Sequence, residues 1–511
     1  MGYKQLSLQL PPDYSPEQLR HKIAKALHIR DFSWQIAHKS LDARKKSFVH
    51  WEIRLLVNSP EIKGGEPIQQ PALDIPLRKT NQTAVVVGSG PAGFFAAYTL
   101  QKGGIKTTLI ERGTEVDKRS REIEIFEATS RFFPKSNYAF GEGGAGTFSD
   151  GKLTSRSKRI SLERQFILNS YVEAGGPEEI RYLSHPHLGT DRLKVIVKNL
   201  RSMFRECGGQ MLFETQMTGL HVKEGRVTGI ETENGRLEAD FFVLATGHSA
   251  FETYRMLMQN GVKFHIKNFA LGSRMEHPQE LINKAQWGVP RLKGVKAAEY
   301  RLTSPGAGGH PVYSFCMCPG GIIVPATAYP YTNIVNGMSR YRRDGRFANA
   351  ACVAGLNLNS LLQREVSAAE ALDWLESLER SFYDFSGYKV PFCSIQSFLK
   401  GKTLPAGAET SYPMGTTEAP LWEMLPPEIS TAMRRGLRDF SQKIRGFETG
   451  NLLGLESKTS APIQADREKN GRCAGFENLY MAGEGSGYAG GIVSSAADGI
   501  KAAMDILSKA K

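Results

Sequence analysis

Three glycines and a carboxylate carry the clearest chemical signal in this chain. Residues 84–112 read AVVVGSGPAGFFAAYTLQKGGIKTTLIER. An apolar run, Ala84 to Val87, leads into Gly88-Ser89-Gly90-Pro91-Ala92-Gly93. A helical pattern (Phe94, Ala97, Leu100) follows and stops at Gly103-Gly104, and a second apolar strand ends on Glu111 and Arg112. This order predicts a strand–turn–helix–strand unit that holds an ADP-containing dinucleotide. Gly88 permits the tight turn, Gly90 lets the backbone approach a pyrophosphate, and Gly93 lets helix and strand pack closely. Free N–H groups at the helix start face the phosphates. Glu111, 23 residues past Gly88, is placed to accept both hydroxyls of the adenosine ribose.

Two later segments narrow the dinucleotide to FAD. Val243-Leu244-Ala245-Thr246-Gly247 is a strand whose small, backbone-exposing end can run beside a cofactor. Asn478 to Gly485, NLYMAGEG, is a strand ending on Gly483 and Glu484, followed by Gly487, Gly490 and Gly491 before a helix that begins near Ile492. A carboxylate there can bind ribityl hydroxyls. The following helix can aim its positive end at the flavin N1/O2 edge and favour the anionic reduced flavin. Met217 is counted with the cofactor contacts.

The motifs VVVGSGPAG, VLATGH and NLYMAGEGSGYAGG resemble those of FAD-dependent oxidoreductases of the glutathione-reductase-like superfamily. Those flavoproteins commonly carry Asp where this chain has Glu484. The remainder is similar to a narrower group, the poorly characterised FAD-dependent dehydrogenases of bacteria and plastids. That likeness is carried by YAFGEGGAGTFSDGKLTSR (138–156), LGSRMEHPQELIN (271–283), SFCMCPGG (314–321), NGMSR (336–340) and ESKTSAP (456–462). It implies non-covalent FAD and hydride transfer through flavin N5, and leaves the substrate open. Gly141 to Gly146 formally repeats the glycine pattern, but no helical pattern follows, so a transient NAD(P)H donor has no nucleotide domain of its own. The resemblance instead makes residues 141–156 a loop along the pyrophosphate and isoalloxazine. Gly143 and Gly144 then permit close approach, Thr147 bonds phosphate or ring atoms, and Lys152 sets a positive charge near N1/O2 or a substrate anion.

No residue stands out as the acid or base. The candidates are Lys152, His248 just after the Ala-Thr-Gly strand end, and Cys318. Cys316-Met317-Cys318 has one residue between the cysteines, where the usual dithiol motif has two. In a regular strand both sulfurs share a face, and the expected role is small buried residues before a turn. No further ligands accompany them, so no metal is expected. Arg274 and Glu276 share a strand face, as a carboxylate or phosphate contact or as a structural ion pair. Thr459, Ser460 and Tyr488 lie in motifs near the expected flavin site.

The elements that must position these groups give an α/β fold. It is a Rossmann-like FAD-binding domain of three layers (β/β/α), an inserted α+β substrate domain and a small N-terminal β-α-β-β domain. The expected boundaries are 1–58 for the N-terminal domain, 59–80 for a Pro- and Gly-rich linker, 81–255 for the first part of the FAD domain, 256–440 for the substrate domain and 441–511 for the return. Trp34 and Trp51 are expected in the core of the first unit. The 511 residues exceed one core. A hydrophobic content of 41% and no apolar run long enough to span a bilayer describe a soluble, cytoplasmic protein. Six scattered cysteines form no disulfide framework. The net charge of +13 is spread along the chain without aromatic interleaving, which argues against a nucleic-acid groove. Three alternatives stay open: an RNA-linked flavoenzyme, a prenyl or unsaturated-lipid reductase, and a non-catalytic FAD-binding protein.

Overall fold

Alternation along the strand Thr83–Val87 sorts the centre of the molecule into layers. Ala84 and Val86 pack with the helices Pro91–Lys102 and Ile492–Lys509, whereas Val85 and Val87 pack with Met217, Leu220, Val227 and Ile230 on the opposite face. Both faces are therefore buried, which is why residues 84–87 are all apolar. The computed structural model describes residues 1–67, 71–155, 157–404 and 409–510; Arg156 and residues 68–70 of the expected linker lie outside them.

Thr83–Val87 is the central strand of a five-stranded parallel sheet in the order Leu479–Met481, Phe241–Leu244, Thr83–Val87, Lys106–Ile110, Gln210–Leu212. A small antiparallel sheet, Met217–Lys223, Arg226–Thr232 and Gly235–Leu237, forms the second layer and the two helices the third. The chain leaves Thr83–Val87 to one neighbour and later returns to the other, so the sheet reverses direction at this strand. Ligands of open α/β sheets bind outside the carboxyl ends of the strands at such a point.

A second, larger mixed sheet stands above those ends. Its order is Thr303–Ala307, His310–Pro325, Phe347–Leu356, Phe269–Pro278, Asn451–Glu456, Val390–Ser394 and Thr416–Glu418, with Val335–Ser339 paired to His310–Pro325. The helix Pro427–Lys443 covers it with a face of Ile429, Met433, Leu437 and Phe440. The expected boundary at residue 440 cuts through this sheet, because Asn451–Glu456 pairs with Phe269–Pro278. NLLGLE is buried at every position and has no polar alternation to betray which sheet it joins.

The N-terminal unit is a three-stranded antiparallel sheet, with His50–Ser59 between Gly2–Leu10 and Ser33–Asp42, under the helix Pro16–Leu27. Ser15 and Gln18 cap that helix reciprocally. Trp34 and Trp51 lie half-buried against its core, and the Trp51 indole donates to the Pro12 carbonyl at 3.1 Å.

Helix Pro91–Lys102 sits so close to the sheet that a Cβ on Gly93 would lie 1.8 Å from the Gly88 carbonyl oxygen. At Gly90 the nearest atom would be the Gly144 Cα, at 3.8 Å. Gly93→Ala is therefore expected to lose at least the roughly 1–3 kcal/mol typical of overpacking, and Gly90→Ala to fold normally. Thermal melts of the two variants check this, and equal midpoints would contradict the packing described.

Candidate functional site

Where the parallel strands end, the two sheets enclose a cleft of about 290 Å³ that opens into solvent. That lies at the lower edge of the roughly 300–1,000 Å³ of an ordinary small-molecule pocket, and its lining runs from the glycine turn at Gly88 to Cys316 and Asn336 of the second sheet. Its floor is bare backbone. Gly88 turns with φ +99° against Ala245, and a Cβ there would meet the Ala245 carbonyl at 2.4 Å. Gly144, at φ +65°, brings the 141–151 loop down onto Gly90, and its own Cβ would lie 3.0 Å from the Gly90 Cα. Gly90 and Gly144 thus form a side-chain-free cradle at the start of Pro91–Lys102, whose first turn no side chain caps. The helix Ile492–Lys509 also begins uncapped, and Gly491 and Ile492 line the same cleft. Two positive helix ends therefore share it.

Beside the cradle, Glu111 is buried and accepts four protein hydrogen bonds. Ser89 donates its N–H at 2.9 Å and its hydroxyl at 2.7 Å, and the Gly113 and Gly141 amides donate at 3.0 and 3.1 Å. A carboxylate offers about four acceptor positions. Its first task is thus to brace the turn, and a ribose hydroxyl reaches it only by sharing or displacing a donor. Arg112 stacks over Phe140 at 4.0 Å and pairs with Glu252.

The cleft wall is also charged. Lys152 lies 3.4 Å from Glu299. Burial alone would raise the Asp150 carboxyl, but Arg343 and Lys152 hold it below its ordinary value; Arg343 reaches it at 2.5 Å. His248 Nδ1 sits 3.6 Å from Glu484, and its buried Nε2 has no partner among the described residues. Lys458, nearly buried, lies 2.7 Å from the fully buried Glu379 and 4.2 Å above the Phe251 ring.

Comparison with known proteins supplies the family. Residues 82–281 match the model described as Pyridine nucleotide-disulphide oxidoreductase. Residues 268–459 match FAD-dependent protein, C-terminal domain-like, and residues 3–58 a domain of unknown function. An uncharacterized protein of Clostridium beijerinckii is 38% identical over 534 residues, covering 98% of each chain. The chain belongs to a family of FAD-dependent oxidoreductases. Among solved structures, glycine oxidase from Geobacillus kaustophilus is 12% identical with a TM-score of 0.39, covering 85% of this chain and 96% of that one. L-Proline dehydrogenase from P. horikoshii is 12% identical with a TM-score of 0.36, covering 84% and 95%. Both scores lie below 0.5, so the assignment rests on the family models and the clostridial relative.

The residues of this FAD-dependent oxidoreductase fit the cofactor: the glycine cradle, the two free helix ends and the unpartnered His248 Nε2 face one cleft. Of the residues expected from sequence, Gly88, Gly90, Pro91, Ala92, Glu111 and Arg112 line it. So do Gly144, Lys152, Met217, the Ala245–His248 segment, Gly483, Glu484, Gly491 and Ile492. Others are set back from the wall for visible reasons. Ser89 is spent on Glu111, and Gly93 on helix packing. Gly143 faces Thr147, whose buried hydroxyl donates to the Glu142 carbonyl at 3.3 Å, so Thr147 is a brace inside its loop. Gly490, which is exposed, and Cys318, which is buried, do not line the cleft.

Three further expectations change. Arg274 is wholly buried and donates to Asn349, Asn336, Glu456 and the Cys316 carbonyl, which leaves nothing for a substrate anion. Its ion-pair partner is Glu456, while Glu276 accepts from Ser411. Tyr488 lies under Arg467 at 4.1 Å and is half-exposed, away from the cleft. The Cys-Met-Cys segment is not a regular strand, since Cys316 has φ +44° and lines the cleft alone.

Lys458 and Asn336 were missed as cleft residues. Both sit within the family-like segments 456–462 and 336–340, but nothing local distinguishes them from surface polar residues; only the fold brings them here. Lys458→Met leaves Glu379 buried and unpaired and is expected to cost about 3–5 kcal/mol. Adding Glu379→Gln should recover most of that loss in a thermal melt. A double variant no more stable than Lys458→Met would contradict the pairing.

Proposed function

We propose that this FAD-dependent oxidoreductase is a dehydrogenase or reductase of a small organic substrate, with NAD(P)H as a transient electron donor. The observation that carries the reading is one continuous cleft. It joins a side-chain-free glycine cradle to a charged wall under the second sheet. When bound, FAD supplies a ring position that takes up and releases a hydride. The protein's own residues bind, orient and exclude water.

Gly88, Gly90 and Gly144 let the backbone come within reach of the diphosphate, and the first amides of Pro91–Lys102 donate to it. Met217 and Glu111 stand at the adenosine end. Gly483, Glu484 and the start of Ile492–Lys509 stand at the ribityl and ring end, where the helix field favours negative charge on the reduced ring. Lys152 and Lys458 line that end, each already paired with a carboxylate, Glu299 and Glu379. His248, with Nδ1 toward Glu484 and Nε2 unpartnered, is the group best placed to hold a proton at the cleft.

The purified protein is expected to be yellow and to release FAD on heating. Gly90→Glu should fold with the melting profile of FAD-stripped wild type, because the site is open, and should be colourless, because the new side chain fills the cradle. A yellow Gly90→Glu protein would overturn this placement. Anaerobic mixing with NADPH and with NADH should bleach the wild-type flavin with one of them; no bleaching by either would remove NAD(P)H as donor.

A further inference from the structure

Arg119 and Arg274 are both wholly buried. Arg274 has its counter-charge, Glu456 at 2.8 Å. Arg119, on the helix Val116–Thr129, spends its guanidinium on backbone alone. Nε donates to the Asn137 carbonyl at 2.8 Å and Nη2 to the Tyr138 carbonyl at 3.0 Å. Nη1 donates to the carbonyls of Gly141, Glu142 and Gly144 at 3.2, 2.8 and 2.8 Å. Every nitrogen thus binds the 137–144 loop. Neither nearby carboxylate answers the charge. Glu111 is taken by its four donors, and Glu142 by the Val116 amide at 2.7 Å and by Arg201 at 3.4 Å. Burial brings the Arg119 guanidinium down to about 10, with only partial support from Glu111 and Glu142.

The bond to Gly144 connects this cation to the cleft. In a trans peptide the carbonyl and the following N–H point opposite ways. Arg119 draws the Gly144 carbonyl back into the protein, so the Ala145 N–H turns toward the cleft that Gly144 and Ala145 line. The φ of +65° at Gly144 permits this orientation and seats its Cα over Gly90. Among the described residues no acceptor takes the Ala145 N–H. A free amide, with an uncompensated cation one peptide behind it, therefore faces the glycine cradle. An anion bound there is the counter-charge that the arrangement lacks.

We propose that Arg119 is the positioning residue of the dinucleotide site: it aims the Gly144–Ala145 peptide at the FAD diphosphate and takes that diphosphate as its counter-charge without touching it. This rests on the diphosphate lying at the Gly90–Gly144 cradle. At an effective dielectric constant near 20, two unit charges about 8 Å apart attract enough to change a dissociation constant roughly 30-fold.

Displacement of FAD from the holoprotein tests this, read as flavin fluorescence released by rising ADP and, separately, by rising adenosine. Adenosine lacks the diphosphate, so the ratio of the two half-displacing concentrations measures what the diphosphate adds. That ratio is expected to fall roughly 30-fold in the neutral Arg119→Met. In Arg119→Lys, which keeps the charge and loses the planar fork, it should stay near the wild-type value. Equal falls in the two variants would make Arg119 a brace of its loop only and overturn the counter-charge. Ala145→Pro answers whether or not Arg119→Met folds. It leaves Arg119 in place and removes the amide donor, at the first position of a helical turn, where proline is tolerated. Its ratio should fall several-fold, and an unchanged ratio overturns the relay through that peptide. In the wild type, adenosine displacing FAD as well as ADP does would overturn the diphosphate placement beneath the inference. An ADP preference that survives intact in Arg119→Met overturns the inference alone.

Discussion

Close approach of bare backbone at the carboxyl ends of the parallel strands is the constraint on which the rest depends. Gly88 turns against Ala245, Gly93 packs on Gly88, and Gly144 descends onto Gly90. Each contact leaves no room for a side chain or leaves an opening where none is present. Together they set the height of the helix over the sheet and keep the helix end exposed to the cleft. Glu111 locks the arrangement, since one carboxylate gathers amides from the turn, from the following loop and from residue 141. A change at any of these positions alters the floor on which a diphosphate would rest.

The second sheet supplies what the nucleotide half lacks. Its strands bring a charged and thiol-bearing wall down over the cleft, and a single buried guanidinium ties that wall together. Arg274 reaches partners on three other strands and both cysteines. Burial opposes its charge, yet Glu456 and the neighbouring cysteines hold it more firmly protonated than usual. Such a network is costly to leave half made, so the cleft wall and the sheet core stand or fall together.

What was legible in the sequence follows the range of the interactions. The dinucleotide unit could be read because turn, helix start and packing glycines lie within a few residues of one another, and their chemistry is local. The alternation at Ala84–Val87 likewise reports directly on two covered faces. The FAD assignment from the Ala-Thr-Gly and Glu484 segments agrees with the family models. The rest was hidden by distance. Arg274 meets Glu456 across 182 residues and Asn349 across 75. Thr147, Tyr488 and Lys458 have ordinary local patterns, and only the tertiary fold decides which of them turns toward the cleft. The bulge at Cys316 is a register event between two strands, and neither strand alone encodes it visibly.

A crystal structure of the yellow holoprotein tests the central claim most directly. The FAD diphosphate is expected on the Gly90–Gly144 cradle at the start of Pro91–Lys102, with the isoalloxazine under the second sheet near Lys152 and Cys316. A diphosphate bound away from those glycines, or a ring pointing out of the cleft, would contradict it.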